Sequence, residues 1–397
     1  MLRQGFFKVP LLPGAWLVAK TENPLVQLIW NTTSVSPVNL AVNAPHTLPT
    51  PLKPKAQLNA EIAKANPDAA GLKLKLKQTF GFAKQLLKFY KNGIVNVWNN
   101  HKFVSDLQKK TYLLEADATG AEVRKMPTNF LKLTEELLTV IYESKSQLKS
   151  KSSSSMTSSL PEANLFAISR LDYQTIRRTK KDFYKLPSFA VLFVIFEELT
   201  PLLCYFLPEV TPLTCVLPNL LPKLWGFPKY TAELDQLKRQ RYQNIDEKIN
   251  GAMQTAYLIP LDEARLLCRV SRIIPRLIPS NWYPESTIRQ RLQQYYNYLV
   301  VDNYYLSGLN GNGTLFDLLA EELAEACLER QLIEDINVFK QISDIADPVQ
   351  RELAELELRQ KLQAKLAKFI VDFDQYNIGV LAMDTGKIDA KTVVEAN

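Results

Sequence analysis

Residues Leu186–Pro208 read LPSFAVLFVIFEELTPLLCYFLP. The run is long enough to cross a bilayer, whose hydrocarbon core calls for about 20 predominantly apolar residues in a helix. Between Leu186 and Leu207 stand thirteen Leu, Ile, Phe and Val residues. At about 0.3–0.6 kcal/mol each, they favour insertion by about 4–8 kcal/mol. Glu197 and Glu198 sit near the centre of the run, and two acids at that depth oppose insertion by about 5–7 kcal/mol. The two terms nearly cancel. Three outcomes fit: a buried helix of a folded body, a span whose glutamates are neutral or paired, or a span shielded by a partner. In a bilayer, burial and mutual repulsion raise carboxylate pKa values, so Glu197 and Glu198 are candidate proton or ion couplers. The structural alternative places them on different helix faces, about 100° apart, beside a break at Pro201.

On the carboxyl side, a second apolar stretch, VTPLTCVLPNLLPKLWGF at Val210–Phe227, is interrupted by Pro212, Pro218 and Pro222. That is too many breaks for a simple second span, and Trp225 and Tyr230 suit a membrane interface. Further on, helical periodicity marks residues 231–257, 259–271, 285–306, 314–331 and 348–375. GLNGNG at Gly308–Gly313, shortly after Asp302 and Asn303, marks a turn. Val349–Phe373 carries Leu353, Leu356, Leu362, Leu366, Phe369, Ile370 and Phe373 at helical spacings, a packing stripe or a short coiled coil.

On the amino side, KSQLKSKSSSSMTSS at Lys145–Ser159 is a Ser-rich linker and the best domain boundary. Residues 128–148 and 73–113 read as amphipathic helices. The second interleaves Leu72, Leu74, Leu76, Phe80, Phe82, Leu86, Leu87, Phe89 and Tyr90 with lysines. This pattern fits a membrane surface and equally a solvated basic face. Six prolines between Pro24 and Pro54 mark an extended linker. From Met1 to Thr21 there are three basic residues, no acid and an apolar side, the character of a mitochondrial targeting segment. Strand signals are sparse, so the expected class is all-α: one transmembrane helix with a Pro-rich apolar extension, followed by a helical domain. The segmentation is a targeting segment at 1–30, a Pro-rich linker at 31–70, an amphipathic helical region at 71–148, a Ser-rich linker at 149–160, a membrane segment at 161–230 and a helical domain at 231–397.

The net charge of +7 hides an asymmetry. Residues 1–185 carry 27 Lys/Arg against 13 Asp/Glu, and residues 186–397 carry 21 against 28. The basic front suits anionic lipid. The acidic back is a poor match for wholesale nucleic-acid binding, and no DNA partner is expected. Cys204, Cys215, Cys268 and Cys327 form no CxxC pair and have apolar neighbours, so buried free thiols are expected. With only His46 and His101, no P-loop and no GxGxxG, neither a metal site, a cofactor nor an enzymatic activity is expected.

The block TIRRTKKDFYKLPSFAVLFVIFEELTPLLCYFLP at Thr175–Pro208 resembles the membrane signature of the LETM proteins, with Arg177, Arg178, Thr179, Asp182, Lys185, Pro187, Phe196, Glu198 and Pro201 in the matching places. FYKNGIVNVWNNHK at Phe89–Lys102 is similar to the segment that approaches it. LFDLLAEELAEACLERQL at Leu315–Leu332 resembles the ribosome-binding helix, through Glu322, Leu323, Ala326, Cys327 and Arg330. Two departures are plain: Leu207-Pro208 continues into Glu209, and Gln331 stands where the family usually has Gly. The resemblance implies a mitochondrial inner-membrane protein with residues 231–397 in the matrix as a ribosome-binding domain. It makes Arg177, Arg178, Asp182, Lys185, Pro187 and Pro201 a motif at the entrance to the membrane. Potassium–proton exchange and ion homeostasis are the implied function, with the mitochondrial ribosome, inner-membrane lipid and a homo-oligomer as implied partners. Two readings compete with it: a scaffold that tethers ribosomes to the inner membrane without transport, and a helical protein whose apolar run is core.

Overall fold

The computed structural model describes residues 41–383 apart from 54, 68–70, 114–122, 128, 153–167, 196–203, 205–208, 226–227, 242–244, 276–277, 311–312, 334, 336 and 346. The helices follow the periodic stretches. Lys55–Ala65 forms α1 and Gly71–Leu107 forms α2. A short antiparallel hairpin, β1 (Thr111–Leu113) with β2 (Val123–Lys125), places Thr111 opposite Lys125. Phe130–Ser152 is α3 and Arg170–Ile195 is α4. Then come α5 (Leu221–Trp225), α6 (Pro228–Arg241), α7 (Ile245–Ala252) and α8 (Leu261–Val270). Last are α9 (Glu285–Leu306), α10 (Ala320–Glu329), α11 (Val338–Ser343) and α12 (Pro348–Gln375). The class is all-α, with the hairpin as its one described strand pair.

Local chemistry explains the ends of these helices. Asp347 accepts the Val349 N–H ahead of Pro348, which needs no partner for the amide hydrogen it lacks. Thr314 and Asp317 cap each other reciprocally at the turn Leu315–Asp317. Gly308 has φ +85°, a conformation that stops α9 and that a side chain would strain. The predicted GLNGNG turn begins there.

The central core is built by α3, α4, α8 and α9, with the turn Ile378–Ala382 beneath α7. Leu133, Leu137 and Ile141 of α3 meet Leu292, Tyr295 and Leu299 of α9 in it. A second cluster joins Leu323, Ala326 and Cys327 of α10 to Leu362, Leu366 and Ile370 of α12. Only the carboxyl half of the α12 stripe finds this partner; Val349, Leu353 and Leu356 remain exposed. Helices α2 and α4 form an antiparallel pair. Tyr90 lies 6.2 Å from Phe189, and, farther along, His101 stacks on Phe183 at 3.8 Å.

Two membrane readings change here. Among the described residues, no helix is long and apolar enough to cross a membrane. The described helix that enters Leu186–Pro208 begins at Arg170, and its amino half belongs to the folded body: Tyr173, Arg178 and Asp182 are buried. Pro187 is an interior residue of α4. Trp225, expected at a membrane interface, is instead buried with Leu220, Leu221, Leu224 and Leu328. A chain that already buries one face of α4 against α9 and α10 uses its polar amino half to hold the fold.

Candidate functional site: a charged cleft above an ion-pair chain

Helix α4 presents Arg170, Gln174, Arg177 and Arg178 at three- and four-residue intervals, which places them along one side of the helix. Helix α10 presents Glu322, Glu325 and Glu329 at the same spacing. The fold brings the two stripes face to face and slots Asp302 of α9 between them. Arg178 holds Glu322 through two bonds, of 2.7 and 3.1 Å. Glu322 also accepts from Arg170 at 3.4 Å. Arg170 donates to Asp302 at 2.8 Å, and Asp302 accepts from Arg330 at 2.7 Å. The result is an alternating chain, Arg178–Glu322–Arg170–Asp302–Arg330, whose side chains are 5% exposed or less. Residues near the amino end are tied into it: the Val42 carbonyl accepts from Arg170, the Ala44 N–H donates to Glu322, and Arg178 donates to Thr47 Oγ1.

Burial by itself raises a carboxyl pKa, but here the cations win. Arg170 and Arg330 hold Asp302 well below the usual carboxylate range, and Arg178 and Arg170 hold Glu322 below its ordinary value. Arg177 pairs with Glu329 and lies 3.5 Å over the Tyr298 ring. Tyr298 O–H donates to the same carboxylate.

Above this chain opens a cleft of about 650 Å³, a size ordinary for a ligand site. One wall is α4, with Arg177, Lys181, Asp182 and Lys185; the opposite side holds Trp225, Arg272, Tyr295 and Glu325. The titratable groups are displaced from their usual values. Burial pushes Asp182 up to about 6, against the Leu213 N–H, which donates to it at 2.9 Å. Burial and then the neighbouring Glu329 push Glu325 up to about 7, while Trp225 Nε1–H donates to it at 3.2 Å. Burial, with Arg177 and Arg272 adding to it, moves Lys181 down, although part of this side chain meets the cleft's solvent. A cluster of displaced groups in one concavity is a candidate functional site on physical grounds.

The sequence-predicted residues divide sharply. Arg177, Arg178, Asp182 and Lys185 come together, as cleft wall and ion-pair chain. Lys185 donates to the Thr211 carbonyl at 3.1 Å. Glu197, Glu198 and Pro201 lie outside the described residues. Glu322 and Arg330, read as a ribosome contact, are turned into the body and engaged there. Sequence reasoning missed Arg170, Arg272, Glu325 and Glu329. The matching charge stripes of α4 and α10 were the available signal for all of these except Arg272. All four cysteines are buried and unpaired by disulfides, as expected.

A second surface lies on α2. Leu72, Leu76, Phe80, Leu87 and Trp98 are exposed and fall within an arc of about 80° at 100° per residue. Lys73, Lys77, Lys84, Lys88, Lys91 and Lys102, also exposed, follow the next part of the circumference. No acid occurs in α2 before Asp106. Val191, Val194 and Ile195 are exposed at the end of α4 that runs back toward the amino half of α2.

Comparison with known proteins overturns the LETM resemblance. A family model described as the pentamidine resistance factor domain matches residues 42–308, well over half of the chain. The mitochondrial pentamidine resistance factor of Saccharomyces cerevisiae is 25% identical over 363 residues, covering 84% of this chain and 80% of that one. No solved structure matches. The resemblance rested on short blocks of common residue types: basic pairs, a Leu-Pro step and an apolar run ending in Phe-x-Glu. The relative is mitochondrial, which supports the mitochondrial location read from the amino-terminal residues. The matched span takes in the hairpin, helices α1 to α9 and the α4 wall of the cleft, and by it the chain belongs to the pentamidine resistance factor domain family.

Proposed function

We propose that this protein is a non-enzymatic helical scaffold that binds the anionic surface of a mitochondrial membrane through α2 and the exposed end of α4. The observation that carries the reading is the exposed apolar stripe Leu72, Leu76, Phe80, Leu87 and Trp98, flanked by six lysines with no acid before Asp106. An apolar stripe bordered by cations lies in the headgroup layer, with its apolar side toward the acyl chains and its ammonium groups on anionic lipid. Inner-membrane lipid is therefore the partner retained from the sequence reading. Ribosome binding drew its support from the LETM resemblance, which the family assignment removes; potassium–proton exchange keeps only Glu197 and Glu198, which lie outside the described residues.

Flotation of the purified full-length chain with vesicles tests this reading. Vesicles of phosphatidylcholine with phosphatidylglycerol should carry the protein upward, and vesicles of phosphatidylcholine alone should carry much less. Leu76→Asp with Phe80→Asp should abolish flotation while leaving the helical circular dichroism intact, since both side chains are exposed. Unchanged flotation of that variant, or none by the wild type, would exclude the reading.

A further inference from the structure

Helix α8 closes with the hydrogen-bond pattern that ordinarily ends in glycine. The Ile273 N–H reaches back to the Cys268 carbonyl at 2.9 Å, and the Arg272 N–H to that of Arg269 at 3.2 Å. The residue between helix and loop is Arg272, held at φ +54°. An arginine in the left-handed region is strained where a glycine would not be. The position directs its side chain into the cleft, against the Trp225 ring at 5.3 Å. Among the described residues, the Arg272 guanidinium makes no hydrogen bond and no ion pair. Five donors in a fixed fork are thus left over inside a cleft.

Arg272 is not alone. Lys181 likewise makes no hydrogen bond or ion pair among the described residues. Lys185 spends one donor on the Thr211 carbonyl and has two more. Lys181 and Lys185 both lie close enough to Arg272 to feel its charge. Four acids act on these groups: Glu329 pairs with Arg177, Glu325 accepts from the Trp225 N–H, Asp182 accepts from the Leu213 N–H, and Glu209, also in the cleft lining, draws on Arg272 and Lys185. Cationic groups held this close repel one another, and a multiply charged anion among them would relieve that repulsion. Beside them Leu213, Val216, Leu224 and Trp225 make an apolar wall.

We propose that the cleft binds a phosphate monoester, its anion held by Lys181, Lys185 and Arg272 and the apolar part of its carrier laid against Trp225 and Leu224. A phosphate dianion matches several cations better than a carboxylate does, and the guanidinium plane offers it paired donors. This inference stands apart from the membrane reading: it concerns a different surface and a monomeric ligand.

Titration calorimetry of the full chain tests it with three probes: inorganic phosphate, dihexanoyl phosphatidic acid and dihexanoyl phosphatidylcholine, the short-chain lipids kept below micelle formation. The phosphatidic acid should bind and the phosphatidylcholine, whose phosphate carries one charge and a choline, should not. Tighter binding of phosphatidic acid than of phosphate by about tenfold or more assigns the site to a lipid-like ester, and equal affinity assigns it to free phosphate. Arg272→Gly removes the cation and relieves the backbone. It should lose binding by about tenfold or more with an unchanged or higher melting temperature. Lys181→Ser, at an exposed cleft position, should weaken binding in the same way. Absence of binding by both phosphate and phosphatidic acid, or full binding by Arg272→Gly, overturns the proposal.

Discussion

Asp302 sits between Arg170 and Arg330 with a fully buried side chain. Its carboxylate does not so much add stability as make two buried guanidinium groups tolerable. Asp302→Asn keeps the shape and removes the charge. Such a loss inside a buried network costs about 3–5 kcal/mol, and urea unfolding followed by circular dichroism should show a shift of that size. Glu325 behaves in the opposite sense. Its folded pKa lies at about 7, above the ordinary 4.5. Between these values the native state binds more protons than the unfolded one, so this group lowers stability as pH rises through the window. Glu325→Gln, which stays neutral, should melt higher than wild type near about pH 8, with the difference vanishing near about pH 5. Asp182, raised to about 6, adds to the same trend. Asp302, Glu322 and Glu329 are held below their ordinary values. Their contribution is present above those ordinary values and is lost as pH falls through the folded ones, so wild type should also weaken in acid below about pH 4.

Helix α2 meets the turn Leu213–Cys215 in a close approach at Gly93. A Cβ on Gly93 would stand 2.7 Å from Cys215 Sγ and 2.9 Å from the Thr214 carbonyl oxygen. Thr214 Oγ1 also donates to the Gly93 carbonyl at 3.0 Å. Gly93→Ala therefore forces α2 away from the turn Leu213–Cys215, an overpacking cost of about 1–3 kcal/mol, measurable as a lowered unfolding midpoint. The helices themselves were legible from the chain. Periodicity located α3, α8, α9 and α12 to within a few residues and set α10 inside a longer window, because an amphipathic helix writes its apolar face at a fixed spacing. The role of α4 was not. Its apolar carboxyl half reads as a span because hydropathy records composition and not what lies opposite. Its Arg residues read as membrane flank because their partners, Glu322, Glu329 and Asp302, lie more than 120 positions away.

At the scale of the molecule, the basic stripe of α2 predicts a salt-sensitive attachment. The reach of surface charge shrinks from about 10 Å at 0.1 M salt to about 3 Å at 1 M. Each lysine near an anionic surface contributes about 1 kcal/mol. Reversing Lys73, Lys77 and Lys84 to Glu should lower partition onto phosphatidylglycerol vesicles by at least about a hundredfold at low salt. In high salt the variant and the wild type should converge. Equal partition of the two at low salt would show that the apolar stripe alone sets binding.

The amino-acid sequence by itself determined the all-α class, the presence of most helices, the buried thiols, the charge asymmetry and the lysine-rich amphipathic character of α2. Each is a local property, set by spacing, capping chemistry or composition within a few turns of chain. Only the tertiary structure decided that Arg177, Arg178, Asp182 and Lys185 are cleft wall and ion-pair chain, that Trp225 is buried, and that Arg272 reaches the cleft against the Trp225 ring with no hydrogen bond or ion pair among the described residues. Charges on α4, α9 and α10 neutralise one another only after the chain has folded back on itself. Coulomb energy depends on distance through space and dielectric, and neither is written in the order of residues.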